Sequence, residues 1–157
     1  MKPTYIIIHH SGHTNSTFDN VDAYHKSKGF GGIGYHYFIE KSGEVKQGRQ
    51  DTTIGAHCKA DNMNYKSIGI CLAGNLLKEL WTSAQLEALE NLLFRLEKRY
   101  DIDRISNVLA HQEVKDAKTS CPGYLIYWLK SHRYSDPRFI DAFNTLNKIK
   151  KLLWKDF

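Results

Sequence analysis

Three settings far apart in the chain hold side chains that could do chemistry together. Tyr5 to Gly12 reads YIIIHHSG, an apolar run that stops on two imidazoles, His9 and His10. A second apolar run, NVLAH, stops on His111, and ten residues further on Cys121 stands in KTSCPG. Two imidazoles and one thiolate make a donor set suited to zinc, and three protein donors leave a fourth tetrahedral position for water, the pattern of a catalytic site. One thiolate leaves such a site with net positive charge, so a water there can lose a proton near neutral pH. Successive strand side chains point to opposite faces, so only one of His9 and His10 can join the set. Taken alone, Cys121 would read as a buried thiol.

The elements that must position these groups follow from residue patterning. Tyr5 to Ile8 is β-branched and aromatic, as suits a strand buried on both faces, and its end is a rigid place for a functional imidazole. Ser11 to Asn20 is rich in Ser, Thr, Asn and Gly and reads as a loop. Val21 to Lys28 reads as a short helix with Val21 and Tyr24 inward and Gly29 as its stop. The glycine-rich stretch GFGGIG does not follow a strand as GxGxxG, which argues against a dinucleotide site. Tyr35 to Glu40 and Val45 to Gly48 form a predicted hairpin around Lys41-Ser42-Gly43-Glu44. Asp51 to Lys66 is polar and aperiodic, a loop long enough to suggest function. Ser67 to Ala73 is a second buried strand. Trp81 to Tyr100 is the clearest helix: Thr82 and Gln85 form a capping box, Trp81 and Leu86 can staple its start, and Leu86, Leu89, Leu93, Leu96 and Tyr100 share one face. Asn107 to Ala110 is a short strand, and Tyr124 to Lys130 a helix after the Pro122-Gly123 turn. Asp136 and Pro137 start a last helix with Phe139, Phe143, Leu146, Ile149 and Leu153 on one side and lysines at its end.

Composition narrows the class. The 157 residues suit one domain, and 41% hydrophobic with 12% aromatic residues suits a packed core. No apolar run approaches the roughly 20 residues that span a bilayer, so no transmembrane segment is expected. Met1-Lys2 leads straight into the first strand without a secretory signal, which predicts synthesis in the cytoplasm. Lys and Arg number 22 against 17 acidic residues, 22 − 17 = +5, and a basic surface suits an anionic partner such as an acidic cell-wall polymer. No dense basic block precedes the C-terminus, and no nucleic acid partner is expected. Cys58, Cys71 and Cys121 are odd in number and lack CxxC spacing, which argues against a disulfide framework.

IIIHHSG, GIGYHYFIEKSGEVKQGR, GAHCKADNMNYKSIGICLAGN, TSAQLEALENLL and VLAHQEV…KTSCPG, in that order, resemble the zinc-dependent N-acetylmuramoyl-L-alanine amidases, the family of phage lysozyme-type amidases and peptidoglycan recognition proteins. The resemblance runs from about Tyr5 to about Trp128. It implies an α/β fold, a single domain with a mixed central β-sheet flanked by helices, and a zinc groove at one end of the strands. Residues 1–132 would form the amidase domain and residues 133–157 a helical extension packed on it. The implied reaction is hydrolysis of the amide between N-acetylmuramic acid and the L-alanine of the stem peptide. His9, His111 and Cys121 would hold zinc, and Tyr35 would be the catalytic tyrosine. Many relatives have lysine two residues before the cysteine. Here that position is Thr119, with Lys118 beside it, and either could meet the developing oxyanion. Arg49, His57 and Asn64 fall in a region that borders the substrate groove in the family, and His36, facing away from Tyr35, joins them as a substrate-side or supporting candidate. A monomer acting on peptidoglycan after release in the manner of a phage lysin is expected, with a peptidoglycan-binding module lacking catalysis as the alternative.

Overall fold

The computed structural model describes residues 1–134, with side chains to 132. The helix expected from Asp136, and with it the domain boundary at residue 133, lies outside the described residues. Among the described residues five strands form one sheet in the order β3-β2-β4-β1-β5, built from β1 (Tyr5–His10), β2 (Tyr37–Ile39), β3 (Val45–Gln47), β4 (Ser67–Leu72) and β5 (Val108–Ala110). The central pairs β1 with β4, β1 with β5 and β2 with β4 are parallel, and only the β2–β3 hairpin is antiparallel. The sheet is thus mixed, and β1 and β4 are buried on both faces, as their unbroken apolar sequences require.

Alternation within the strands sends one set of side chains to each face. Ile6, Ile8, Ile68, Ile70 and Leu72 pack under α2 (Ser83–Tyr100) and α4 (Leu125–Tyr134), against Leu89, Leu92, Leu93, Leu96 and Trp128. The other face carries Ile7 against Cys58, Met63 and Val114, and Phe38 and Cys71 against Ile33, with Phe18 and Val21 of α1 (Phe18–Ser27) packed alongside. The long polar segment 51–66 therefore covers one face of the sheet instead of standing clear of it. It contains a 3-10 turn at Ala60–Tyr65.

Helix α2 starts where its capping box places it, with Thr82 and Gln85 bonding reciprocally. Helix α1 begins three residues earlier than the hydrophobic pattern indicates. Thr17 is its N-cap and Asn20 completes the box, a T-x-x-N version of the motif within a stretch whose polar composition reads as loop. Tyr24 is also corrected: it is 59% exposed, while Phe18 and Val21 are the α1 residues that pack against the sheet. Arg104–Asn107 forms a one-turn helix, α3, capped by Asp103, just before β5.

Candidate metal centre

The carboxyl ends of β1 and β5 lie side by side, with Ile8 paired to Ala110, so the residues that follow these strands meet at one edge. Ligand sites in open α/β sheets gather at such strand ends. His9 sits on β1, His111 opens the 3-10 turn after β5, and Cys121 lies in the turn that packs back against β1. Gly123 lets that turn close: its φ of +67° and its contact with the Leu76 carbonyl leave no room for a side chain. One nitrogen from each histidine and Cys121 Sγ lie within 4.8 Å of one another, the one such group of three found among the described residues. His9 Nδ1 stands 3.8 Å from Cys121 Sγ. Zn–N near 2.1 Å and Zn–S near 2.3 Å at a tetrahedral angle put those donors about 3.6 Å apart, so the spacing fits a zinc ion.

The electrostatics fit as well. His9 is 1% exposed, and burial, then the neighbouring histidines His57, His111 and His10, hold its pKa well below the usual imidazole value. Burial lowers His111 too. Both rings stay neutral and keep a lone pair for a cation. Burial pushes the Cys121 thiol up to about 12. A thiolate there needs positive charge beside it, which a bound divalent ion provides. The His10 backbone N–H already donates to Cys121 Sγ at 3.3 Å, aiming the sulfur at the site. His10 itself faces away, and its Nδ1 accepts from the Leu76 N–H at 2.8 Å, buried.

Tyr35 precedes β2 instead of starting it, and its ring centroid lies 5.1 Å from that of His9. Burial, then the Cys71 and Cys121 thiols, together with a side-chain hydrogen bond to Cys71, raises its pKa well above the ordinary phenol value, so the phenol keeps its proton. It forms one wall of a groove of about 550 Å³ also lined by Ser11, His13, Asn20, Tyr24 and His25. No motif in the sequence pattern singles out His25. Here its Nδ1 accepts from the Gly34 N–H at 2.9 Å and its ring packs between Phe30 and Tyr35. The legible signal was its place on α1 just ahead of the glycine turn that leads to Tyr35.

Thr119 Oγ1 accepts from the Cys121 N–H at 3.1 Å, and both Thr119 and Lys118 are exposed. The four residues expected at the substrate side have intramolecular partners. His36 is 0% exposed: its Nδ1 accepts from the Gly69 N–H at 3.0 Å and its Nε2 faces the Thr53 carbonyl at 2.9 Å, so it stitches the long loop to β4 and does not reach substrate. The expectation for His36 is corrected accordingly. The His36 ring packs edge-on against His57 at 5.6 Å, inside the fold. Arg49 donates to the Ile33, Ile54 and Phe30 carbonyls. Asn64 Oδ1 accepts from the backbone N–H groups of His57 and Cys58, both at 2.8 Å. His57 points inward, with its Nδ1 3.0 Å from His9 Nε2.

Residues 1–124 match the sequence pattern of N-acetylmuramoyl-L-alanine amidases. The chain is 34% identical over 126 residues to the endolysin of Escherichia phage T7, covering 75% of this chain and 78% of that one. It is 38% identical over 133 residues to peptidoglycan-recognition protein SC2 of Drosophila melanogaster, covering 79% and 70%. In three dimensions it is similar to the N-acetylmuramoyl-L-alanine amidase LysC from Clostridium intestinale URNW, with a TM-score of 0.74 and 32% identity over 84% of this chain and 85% of that one. The match takes in all five strands and runs just past Cys121, and on that basis the chain belongs to the N-acetylmuramoyl-L-alanine amidase family.

Proposed function

We propose that this chain hydrolyses peptidoglycan at the amide between N-acetylmuramic acid and the L-alanine of the stem peptide, with zinc held by His9, His111 and Cys121. The observation that carries the reading is the meeting of those three donors within 4.8 Å of one another, with the Tyr35 ring 5.1 Å from that of His9. When bound, zinc would supply a water made acidic enough to lose a proton near neutral pH. The chain's own residues supply the rest. Attack of water on the lactyl carbonyl puts negative charge on its oxygen, and donors already aimed at that point lower the barrier without reorganising. Tyr35, held protonated, is one such donor. Thr119 is the second: its oxygen accepts from the Cys121 amide, which leaves its own proton free for the substrate. Lys118 would offer a full charge, and a charge-assisted bond is about twice as strong; both side chains are exposed, and the hydrogen bond to the Cys121 amide is what favours Thr119.

Endolysin relatives favour cleavage at the cell wall, and recognition-protein relatives favour a second reading, capture of peptidoglycan without cleavage. The complete donor set together with Tyr35 weighs for the hydrolase. Digestion of purified sacculi, with and without a chelator and with product masses read out, separates the two. The expected products are free peptides beginning with L-alanine, lost on chelation and restored by zinc. Sacculi bound but unchanged would support the recognition reading, and new reducing sugar ends would refute the amidase.

A further inference from the structure

The long loop 51–66 carries a residue whose placement the cleavage reaction does not by itself require. His57 lies beneath His9, its ring edge-on at an interplanar angle of 81° and its Nδ1 3.0 Å from His9 Nε2. The ring occupies a slot that only backbone could form. A side-chain carbon at Gly69, in the middle of β4, would lie 2.5 Å from His57 Cδ2 and Cγ, and one at Gly55 would lie 2.5 Å from Cδ2. Glycine in the interior of a buried strand weakens the strand and marks a close approach. Here the approach is an imidazole. Asn64 fixes the backbone that carries the ring by accepting from His57 N–H.

We propose that His57 is a positioning residue for the metal centre: its Nδ1 accepts the proton on His9 Nε2 and so fixes His9 in the tautomer that presents Nδ1 to the ion. The proposal rests on the zinc reading of His9, His111 and Cys121. His9 Nδ1 is the nitrogen on the side of Cys121 Sγ, so coordination there requires the proton to be on Nε2. The His57 tautomer then follows: Nδ1 is the acceptor and Nε2 carries the proton. That second nitrogen is buried without a hydrogen-bond partner. Ligating histidines ordinarily give their other N–H to a carboxylate, a carbonyl or water, and losing such a partner typically weakens metal binding 10- to 100-fold. Using a neutral imidazole as acceptor orients the ligand without adding negative charge, and so preserves the site's net positive charge.

The test is zinc affinity of the full chain, measured by competition with a chromophoric chelator, and the visible spectrum of the cobalt-substituted protein. His57→Phe fills the slot but has no acceptor, and is expected to bind zinc about 10- to 100-fold more weakly with a shifted cobalt spectrum. In His57→Asn the side-chain oxygen falls near the position of Nδ1, and affinity and spectrum should return toward wild type. Melting of the metal-free proteins shows whether each variant folds, and the asparagine rescue discriminates an acceptor from a mere space-filler. Unchanged zinc affinity and spectrum in His57→Phe would overturn the proposal, as would an asparagine variant that binds as weakly as the phenylalanine one. Failure of the wild-type protein to bind zinc at all would instead remove the metal reading on which it stands.

Discussion

Tyr35 and Cys121 sit within one small site and should fail differently when changed. Cys121→Ser replaces a soft thiolate donor with a hydroxyl that is a poor zinc ligand, in a site where burial already opposes charge. Both stoichiometric zinc and release of L-alanine-terminated peptides should disappear together, checked by metal analysis of the purified protein beside the digestion assay. Tyr35→Phe keeps the ring that packs 5.1 Å from His9 and removes one donor. Zinc content should stay at wild-type level while turnover falls about 10²- to 10³-fold, the usual cost of losing one oxyanion donor. A Phe variant that keeps full turnover would move the donor role to Thr119 alone. At this scale much was legible. His9 and His111 each follow an apolar run, and Cys121 precedes a Pro-Gly turn, so residue type and setting both pointed to the three donors that the fold brings within 4.8 Å of one another. What could not be read was the partner of each remaining histidine, because His36, His57 and His25 are distinguished only by which carbonyl, amide or ring the fold brings to them.

At the scale of elements, the strongest junction outside the site is Asp51. Its carboxylate accepts from Tyr37 OH on β2 at 2.6 Å and from Tyr100 OH at the end of α2 at 2.8 Å, and so ties hairpin, loop and helix together. Burial first, then the hydrogen bond to Asp51, raises the pKa of both phenols above the ordinary value. The sign of the effect on stability follows. Below about pH 10 both folded and unfolded chains hold these protons. Above it the unfolded chain loses them first, so the folded state binds more protons and stability declines as pH rises. Thermal melting between about pH 9 and 11 should show a steeper decline in wild type than in Tyr37→Phe; equal slopes would mean the carboxylate does not hold the phenol in solution. The sequence revealed α2 fully, because a capping box and a leucine stripe agree with each other. It hid the start of α1, where polar caps look like loop, and it hid the long loop's role of covering the sheet, because the partners of that loop are strands distant in the chain.

For the molecule as a whole, the order of parallel strands is the link between local pattern and site. Only with β1 between β4 and β5 do His9 and His111 end side by side, and nothing in either strand's own sequence states its neighbours. The family resemblance implied a mixed sheet with a groove at one end of its strands, and the strand order itself became visible only in the fold. Charge is the other property of the whole chain. With a formal net charge of +5, the protein should be drawn to a polymer bearing the carboxylates of its stem peptides over distances longer than any contact. That attraction extends roughly 30 Å at about 0.01 M salt and about 8 Å at 0.15 M. The donors at the metal centre lie within 4.8 Å of one another and are partly or fully buried, so added salt screens them far less. Raising salt over this range should therefore increase the apparent KM for sacculi several-fold and leave kcat nearly constant, as measured by peptide release. A KM that does not change with salt would show that the basic surface has no part in capturing the wall. A kcat that falls with salt would place a screened charge, such as the exposed Lys118 ammonium, at the reacting carbonyl instead of the neutral Thr119 hydroxyl.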